Sequence, residues 1–201
     1  MKTFKLQTAL AALSIVLLLP GLALAATPDA GLSTVDPCLV TCPAGDTDFL
    51  VVVRDAGGAV IAGSVVEVDF CNCAGPQLCS PGGSGSCPDG TQDIAIRATN
   101  SAGEALFHLA EGGDGNGALV DIRADGVLLA QRTIKPMDTN GDFVADTSDF
   151  SYSNLSNDYN CDGAVNFSDF AIFGNHGSFS HSCTGPVDTA PRTWGSVKAL
   201  W

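Results

Sequence analysis

The chain has 201 residues, with 9 basic and 22 acidic side chains and a formal net charge of −13. This excess of negative charge excludes binding to nucleic acid or to an anionic membrane by electrostatic attraction. Two roles remain for the acidic residues, solubility and the binding of divalent cations. Their positions along the chain decide between these roles.

The first 25 residues have the pattern of a secretory signal peptide. Lys2 and Lys5 precede the apolar run Ala9 to Leu19, and Ala23 and Ala25 form the cleavage pattern. The run is too short to span a bilayer comfortably and no second one follows, so we expect no membrane insertion after cleavage. An uncleaved N-terminal anchor is the alternative. Cleavage would leave seven basic and 22 acidic residues, a net charge of −15.

All eight cysteines follow this segment. An even number of cysteines in an exported chain is typical of a disulfide framework. Zinc ligation is the alternative, since Cys38-x3-Cys42 and Cys71-x-Cys73 resemble ligand pairs, but export, irregular spacing and the lack of nearby histidines favour disulfides. The one pairing that we predict is Cys161 with Cys183, because no other cysteine lies in that part of the chain.

Composition divides the exported chain at Pro136. From residue 46 to residue 135, short apolar runs are separated by Gly, Asp and Asn. Beyond Pro136, eight Asp occur before the next basic residue, Arg192. We therefore predict an N-terminal segment 26–45, a β domain 46–135, an acidic module 136–183, and a linker with an apolar tail, 184–201.

The β domain contains short runs with the patterns of strands. They are Phe49 to Val53, Val65 to Phe70, Ile94 to Arg97, Ala105 to Leu109, Val120 to Ala124 and Val127 to Ile134. The dipeptide Asp125-Gly126 between the last two runs predicts a tight hairpin. Short strands at this spacing predict an all-β sandwich, so the expected fold class is mainly β.

Two stretches of the β domain resemble the bacterial immunoglobulin-like repeats of invasin-type surface proteins. Residues 53–63 read Val-Arg-Asp-Ala-Gly-Gly-Ala-Val-Ile-Ala-Gly, and residues 99–107 read Thr-Asn-Ser-Ala-Gly-Glu-Ala-Leu-Phe. The resemblance implies an Ig-like β-sandwich that acts as a spacer or adhesive stalk. The chain lacks the proline of these repeats and inserts a cysteine-rich loop, Cys71 to Cys87. We interpret this loop as pinned by disulfides, and a binding loop is the alternative.

One spacing of oxygen-bearing residues occurs twice in the acidic module. Each twelve-residue loop supplies side-chain oxygens at positions 1, 3, 5, 9 and 12, and a backbone carbonyl at position 7 adds another. Calcium is a hard cation that takes six to eight oxygens. A solvated acidic turn would explain one loop but not the doubled pattern. The predicted ligands of two calcium ions are Asp138, Asn140, Asp142, Val144, Asp146 and Asp149, and Asp158, Asn160, Asp162, Ala164, Asn166 and Asp169.

The two loops resemble those of dockerin modules, which read D-x-N-x-D-G-x-V-N-x-x-D and are each followed by a helix. The second loop matches nearly position for position. The first has Phe143 where glycine takes a left-handed turn, so we expect a weaker or differently shaped first site. The resemblance implies short helices at Phe150 to Leu155 and Phe170 to His176. At position 8, Ala145 and Val165 occupy the place where two paired loops usually touch.

Dockerins bind cohesin modules, often through a Ser-Thr-like pair at loop positions 10 and 11. These positions hold Thr147-Ser148 in the first loop and Phe167-Ser168 in the second, so only the first resembles such a pair. The resemblance thus implies a cohesin-like extracellular partner. A calcium-stabilised module without that partner is the alternative.

The segment Arg192 to Trp201 contains two tryptophans together with Val197 and Leu200. An apolar stretch of this kind fits a docking or sorting segment, and it equally fits a segment that folds back on the body.

No combination of residues typical of catalysis occurs in the chain. Glutamates occur only at Glu67, Glu104 and Glu111, and the three histidines are not placed beside a nucleophile motif. We therefore predict that the protein is not an enzyme but a secreted calcium-binding structural or attachment protein. One alternative is an accessory carbohydrate-binding component of an extracellular polysaccharide-degrading assembly, which the lack of Trp and Tyr in the β domain disfavours. A small hydrolase is the other.

Overall fold

The computed structural model of the protein describes residues 26–73, 75–79, 85–88, 93–115, 117–176 and 181–182. The predicted signal peptide, 1–25, and the tail, 184–201, lie outside these residues, as does Cys183. Within them the chain is mainly β, as the sequence predicts. No helix in the described part is long and apolar enough to cross a membrane.

The described part contains twelve strands and one α-helix. The strands are β1 (Thr34–Val35), β2 (Leu39–Thr41), β3 (Asp48–Val52), β4 (Val65–Asp69), β5 (Gln77–Leu78), β6 (Ile94–Ala98), β7 (Glu104–His108), β8 (Glu111–Gly112), β9 (Leu119–Ala124), β10 (Val127–Pro136), β11 (Val144–Ala145) and β12 (His181–Ser182). The helix α1 is Phe167–His176, and a 3-10 helix spans Leu155–Asn157. All six strands predicted from the sequence are present, with ends that differ by one or two residues.

Two sheets form the larger part of the fold. One has three antiparallel strands in the order β1-β3-β7. The other has five strands in the order β2-β10-β9-β4-β6, and all neighbours in it are antiparallel except β2, which runs parallel to β10. The segment 26–45 thus contributes one strand to each sheet, although its sequence predicted no strand. The short pairs β5-β8 and β11-β12 lie outside these sheets.

One hydrophobic cluster is shared by the two sheets. Phe49 and Val51 of β3 contribute to it from the three-stranded sheet, and Val66 and Val68 of β4 contribute from the five-stranded sheet. Buried and partly exposed residues alternate along both strands because successive side chains point to opposite faces of a sheet. Each fully buried Val or Phe side chain contributes about 1.5–3 kcal/mol through removal of apolar surface from water.

The hairpin between β9 and β10 forms at the predicted dipeptide. Asp125 has φ 46° and Gly126 has φ 80°, the left-handed pair that a type I′ turn requires. Asp125 also accepts from the Val65 amide and the Ser64 hydroxyl, so the turn is tied to the start of β4. The inserted cysteine-rich loop is closed by the predicted type of link, a disulfide between Cys71 and Cys87.

A second, smaller cluster lies beneath the acidic module. It consists of Cys42, Met137, Ala145, Tyr159 and Phe173. Residues from three separate parts of the chain therefore meet in one place: the segment after β2, the end of β10, and the module with its helix α1. The predicted helix at Phe170 to His176 is confirmed, and it begins three residues earlier, at Phe167.

The predicted helix at Phe150 to Leu155 is wrong. These residues form turns, and only the 3-10 helix Leu155–Asn157 follows. The Asn154 side chain accepts from the Ser156 amide, and the Asn157 side chain accepts from the Ser151 amide. Ser and Asn side chains that bond to nearby backbone groups in this way compete with helix formation.

Candidate metal centre

The first acidic loop, Asp138 to Asp149, is folded around its own carboxylates. The two oxygens of Asp138 accept from the amides of Gly141 and Phe143, each at 2.8 Å. Asn140 Oδ1 accepts from the Asp142 amide and Asp142 Oδ1 accepts from the Val144 amide, both at 2.9 Å. The side chains at positions 1, 3 and 5 are therefore turned toward the backbone of their own loop, as a loop that surrounds a cation requires.

The last carboxylate of this loop joins its two ends. Asp149 Oδ1 accepts from the amides of Thr139 and Asn140, at 2.9 and 3.1 Å. Its Oδ2 accepts from the Asp146 amide at 2.9 Å. Asp146 Oδ1 in turn accepts from the Ser148 amide at 2.7 Å. Because a carboxylate offers about four acceptor positions, these bonds leave capacity for a further ligand at Asp146 and Asp149.

The second loop, Asp158 to Asp169, repeats this hydrogen-bond pattern. Its closing carboxylate, Asp169, accepts from the Tyr159 amide through Oδ1 and from the Asn166 amide through Oδ2, both at 2.9 Å. Four further bonds belong to the shared pattern. The amides of Gly163 and Asp162 donate to the side chains of Asp158 and Asn160, respectively. The amides of Ala164 and Ser168 donate to the side chains of Asp162 and Asn166, respectively. Two stretches offset by 20 residues thus adopt equivalent conformations.

Both loops use left-handed backbone at positions 4 and 6. In the first loop these are Gly141 at φ 79° and Phe143 at φ 65°, and in the second they are Cys161 at φ 55° and Gly163 at φ 90°. The expected difference in shape of the first loop is therefore not found. Phe143 adopts the glycine-like conformation at a cost of about 1–2 kcal/mol.

The carboxylates of the two loops differ in burial by position. Those at positions 1 and 12 are buried in both loops, namely Asp138, Asp149, Asp158 and Asp169, whereas Asp142 and Asp162 at position 5 are exposed. Burial raises the pKa of Asp149, and the nearby charge of Asp138 adds to this effect. Hydrogen bonds from the Ala164 amide and the Asn160 side chain lower the pKa of Asp162. The backbone and side chain of Ser148 likewise lower the pKa of Asp146.

No cationic side chain balances these loop carboxylates in the described residues. The three ion pairs found there are His108–Asp48, Arg123–Asp121 and His176–Asp46, all outside the loops. Seven aspartates therefore lie within 32 residues of sequence, 138–169, with no Lys, Arg or His among them. The centre has the charge to attract a divalent cation.

The predicted backbone ligands lie in different surroundings. Val144 belongs to β11 and is opposite Ser182 of β12. The Ala164 carbonyl accepts from the Asn166 side chain at 3.3 Å. The predicted contact of the two loops at position 8 is not seen in the strand pairing, since Ala145 is opposite His181 and Val165 belongs to no strand. A two-residue strand at His181–Ser182 has no signal in the sequence.

The predicted disulfide of Cys161 with Cys183 is wrong. Cys161, at position 4 of the second loop, is bonded to Cys38, 123 residues earlier. Cys38 directly precedes β2, and β2 runs beside β10, whose end leads into the acidic module. Cys38 and Cys161 are therefore brought together by the pairing of β2 with β10, although they are far apart along the chain. Cys79 is also in a disulfide, and its partner lies outside the described residues.

A hydrogen bond also ties the first loop to the β domain. The Gly113 amide, which follows β8, donates to Asp138 Oδ2 at 2.8 Å. Nearby, the buried carboxylate of Glu111 accepts from the Thr41 hydroxyl at 2.7 Å. Burial raises the pKa of Glu111 to about 8, with the charge of Asp138 adding to the shift. The sequence contains no signal that Glu111 is buried beside the acidic module.

Another group of close donor atoms is formed by Asp69, Cys71 and Cys87. It is the one such group of three acidic, Cys or His side chains that the described residues contain. The two sulfurs form a disulfide with each other, so they offer no thiolate to a metal. Five of the twelve predicted loop ligands are Asn side chains or backbone carbonyls, which such a group leaves out, and the aspartates of the described loops do not themselves form such a group.

Cys42, Asp46 and His176 form a small cluster between the β domain and α1. Asp46 Oδ2 lies 3.0 Å from His176 Nδ1, and Cys42 is buried with its thiol near the His176 carbonyl. Burial raises the pKa of the Cys42 thiol to about 12, with the charge of Asp46 adding to the rise. A thiol in this state remains protonated at neutral pH and is a poor nucleophile.

No protein-family model, curated protein or solved structure matches the chain. The assignment of function therefore rests on the residues of the chain itself.

Proposed function

We propose that the acidic module binds two calcium ions, one in each loop, and that the protein is a secreted structural or attachment protein. The observation that carries the proposal is the repeated hydrogen-bond pattern of the two loops. Independent stretches of sequence place carboxylate and amide oxygens at the same five positions with the same backbone conformation. Hard oxygen donors in flexible loops are the ligands that calcium selects.

Charge supports the same assignment. Four loop carboxylates are buried, and burial of a charge is costly unless an opposite charge or a metal compensates it. The described residues supply no cationic partner for them. A bound calcium ion would supply the missing positive charge and would stabilise the folded loops, because the binding free energy adds to the folding free energy.

In this proposal the β domain is an Ig-like sandwich and the acidic module is a dockerin-like pair of loops. The two sheets with their shared core support the first part, and the loop conformation supports the second. The disulfide Cys38–Cys161 and the bond from Gly113 to Asp138 would transmit the order of the calcium loops to the sheets. The disulfides indicate an oxidising environment, which export would provide.

A protein partner could bind at loop positions 10 and 11. Thr147 and Ser148 are exposed in the first loop, and Phe167 and Ser168 are exposed in the second. The first pair offers hydroxyl groups and the second offers an aromatic ring. We propose the first pair as the contact for a cohesin-like partner.

The test is thermal unfolding with and without calcium in two isosteric variants, Asp142→Asn and Asp162→Asn. Each Asn keeps the oxygen that accepts the position-7 amide but removes one negative charge from its loop. At a calcium concentration of 100 times Kd, a site stabilises the fold by about 2.7 kcal/mol. Each variant should lose the contribution of its own loop.

Asp48→Asn is the matched control, because Asp48 is exposed and lies on β3, outside both loops. It should keep the full calcium-dependent rise in melting temperature. Equal calcium responses in the wild type and in both loop variants would show that the loops are not the binding sites. No calcium response in any of these proteins would refute the proposed function.

A further inference from the structure

Four aromatic side chains form a continuous surface on the acidic module. We call Phe150, Tyr152, Phe167 and Phe170 the aromatic surface. Phe150 lies at its centre, with ring centroids 5.0 Å from Tyr152 and 5.2 Å from Phe170. Phe170 also lies 6.2 Å from Phe167. Phe150 contacts Tyr159 and Phe173 of the second hydrophobic cluster, so the surface has a rigid base.

Three of the four rings of this surface are exposed to solvent, and Phe150 is half-buried. Tyr152 is 59% exposed, Phe167 is 75% exposed and Phe170 is 42% exposed. Single exposed apolar residues are common, but a contiguous apolar patch marks a place where something binds. The aromatic surface makes no use of the calcium ligands, so its occupant is a separate question from metal binding.

The segment 183–201 of the same chain has the composition and the position to cover this surface. The described chain reaches β12, which pairs with β11 of the first loop, and the segment continues from there. Trp194 lies twelve positions after Ser182, and a chain of this length extends up to about 40 Å. The helix α1, ten residues long, spans only about 15 Å. Trp194, Val197, Leu200 and Trp201 supply large apolar side chains within this reach.

Charge points to the same occupant. Between Pro136 and Arg192 the sequence has no Lys or Arg, whereas Arg192 precedes the apolar residues of the segment and Lys198 lies among them. The exposed carboxylates of Asp142 and Asp162 lie in the module that carries the aromatic surface. Two cations brought to this acidic module would be attracted, and aromatic rings also bind cations at their faces.

We propose that segment 183–201 folds back and docks on the aromatic surface, with Trp194 and Trp201 packed against Phe167 and Phe170. Docked in this way, the segment covers position 10 of the second loop.

Intrinsic tryptophan fluorescence tests this proposal directly, because both tryptophans of the chain lie in the segment. The chain without its signal peptide is measured at low micromolar concentration, with acrylamide as quencher. We expect a blue-shifted emission and a quenching constant several times smaller than in the urea-unfolded chain. The double variant Phe167→Ser/Phe170→Ser should shift emission to the red and quench nearly as readily as the unfolded chain.

Leu119→Ser is the control variant, since Leu119 is an exposed apolar residue on β9 of the β domain. It should leave emission and quenching unchanged. Far-ultraviolet circular dichroism first shows whether the double variant keeps the wild-type fold. If it does not, the single variant Phe167→Ser is measured in its place. Readily quenched tryptophans in the wild type, or no change in the variants, would overturn the proposal. Protection that disappears on dilution would also overturn it, because it would assign the contact to a second copy.

Measuring the same samples with calcium and with a chelator separates this proposal from the proposed function. Protected tryptophans in a chain that binds no calcium would support docking while calcium binding fails. Exposed tryptophans in a chain that binds two calcium ions would refute docking and leave calcium binding intact.

Discussion

Position 6 of the two acidic loops holds different residues in the same backbone conformation. Phe143 and Gly163 both lie in the left-handed region, at φ 65° and φ 90°. The loop pattern predicted this conformation for glycine at position 6, as at Gly163, and a weaker or differently shaped first loop because Phe143 replaces glycine there. The sequence could not predict that Phe143 would accept it, since the bond from its amide to Asp138 compensates only in the folded loop.

Phe143→Gly should therefore stabilise the protein by about 0.5–1 kcal/mol. It relieves about 1–2 kcal/mol of left-handed strain and adds a smaller entropy to the unfolded chain. Gly163→Ala should have the opposite effect by about 1 kcal/mol. An added Cβ there meets no atom within 4 Å, so only the backbone conformation opposes it. Urea unfolding at one fixed calcium concentration measures both, and shifts of the same sign would contradict this explanation.

The burial of Glu111 leads to a second prediction at the scale of one residue, about the pH dependence of stability. Its pKa is about 8 in the folded protein, raised by burial from an ordinary value of 4.5. The folded state therefore binds more protons than the unfolded state between these values, and stability is lost as pH rises. The expected slope is a loss of about 1.4 kcal/mol per pH unit from this group.

The variant Glu111→Gln should lack this slope while keeping an acceptor for the Thr41 hydroxyl. Urea unfolding of both proteins from pH 5 to pH 8 isolates the contribution of Glu111 as the difference between them. A difference that does not change with pH would show that Glu111 is not buried in the way described. Burial of Glu111 could not be predicted from sequence, because its partners, Thr41 of β2 and the backbone of Gln77 in β5, are distant from it along the chain.

At the scale of elements, the local sequence pattern was sufficient to predict a strand wherever one face of that strand is buried. β4 and β9 alternate between buried and more exposed residues, and their sequences show the same period. The two-residue strands β1, β5, β8, β11 and β12 lack room for any period and were not predicted. Helix α1 was predicted after the second loop. After the first loop, the side chains of Asn154 and Asn157 accept from nearby amides, and turns form in place of the predicted helix.

Substitution of Phe173 tests whether packing of this side chain holds α1 in place. It is buried in the second hydrophobic cluster and stacks on Tyr159 at a centroid distance of 6.0 Å. Phe173→Ala should cost about 3–5 kcal/mol, as large-to-small changes in a core do. The control Asn175→Ala, at an exposed position of the same helix, should change stability by less than about 0.5 kcal/mol. Equal effects in chemical unfolding would contradict the packing of α1 through Phe173.

At the scale of the whole molecule, the acidic module is joined to the β domain covalently as well as by packing. Cys38–Cys161 closes a loop of 123 residues and attaches the second acidic loop beside β2. The composition of the sequence predicts a division of the chain at Pro136. The link across that division was not, because it depends on the parallel pairing of β2 with β10.

The double variant Cys38→Ser/Cys161→Ser should lose about 2–5 kcal/mol of stability, since a long-range disulfide restricts the unfolded chain. It should also weaken calcium binding in the second loop more than in the first, because only the second loop contains Cys161. Cys73→Ser is the control, since Cys73 is not in a disulfide and a serine can still donate to the Leu119 carbonyl. Equal stability of the double variant and this control in urea would contradict the stated role of the disulfide.

Calcium titration by calorimetry, on the chain from Ala26 at physiological salt, tests the central claim most directly. We predict two calcium ions bound per chain. Replacement of both first carboxylates, Asp138→Ala together with Asp158→Ala, should abolish both binding events, because each Asp accepts the position-6 amide that shapes its loop. Absence of binding at millimolar calcium, or binding that persists unchanged in the double variant, would contradict the claim.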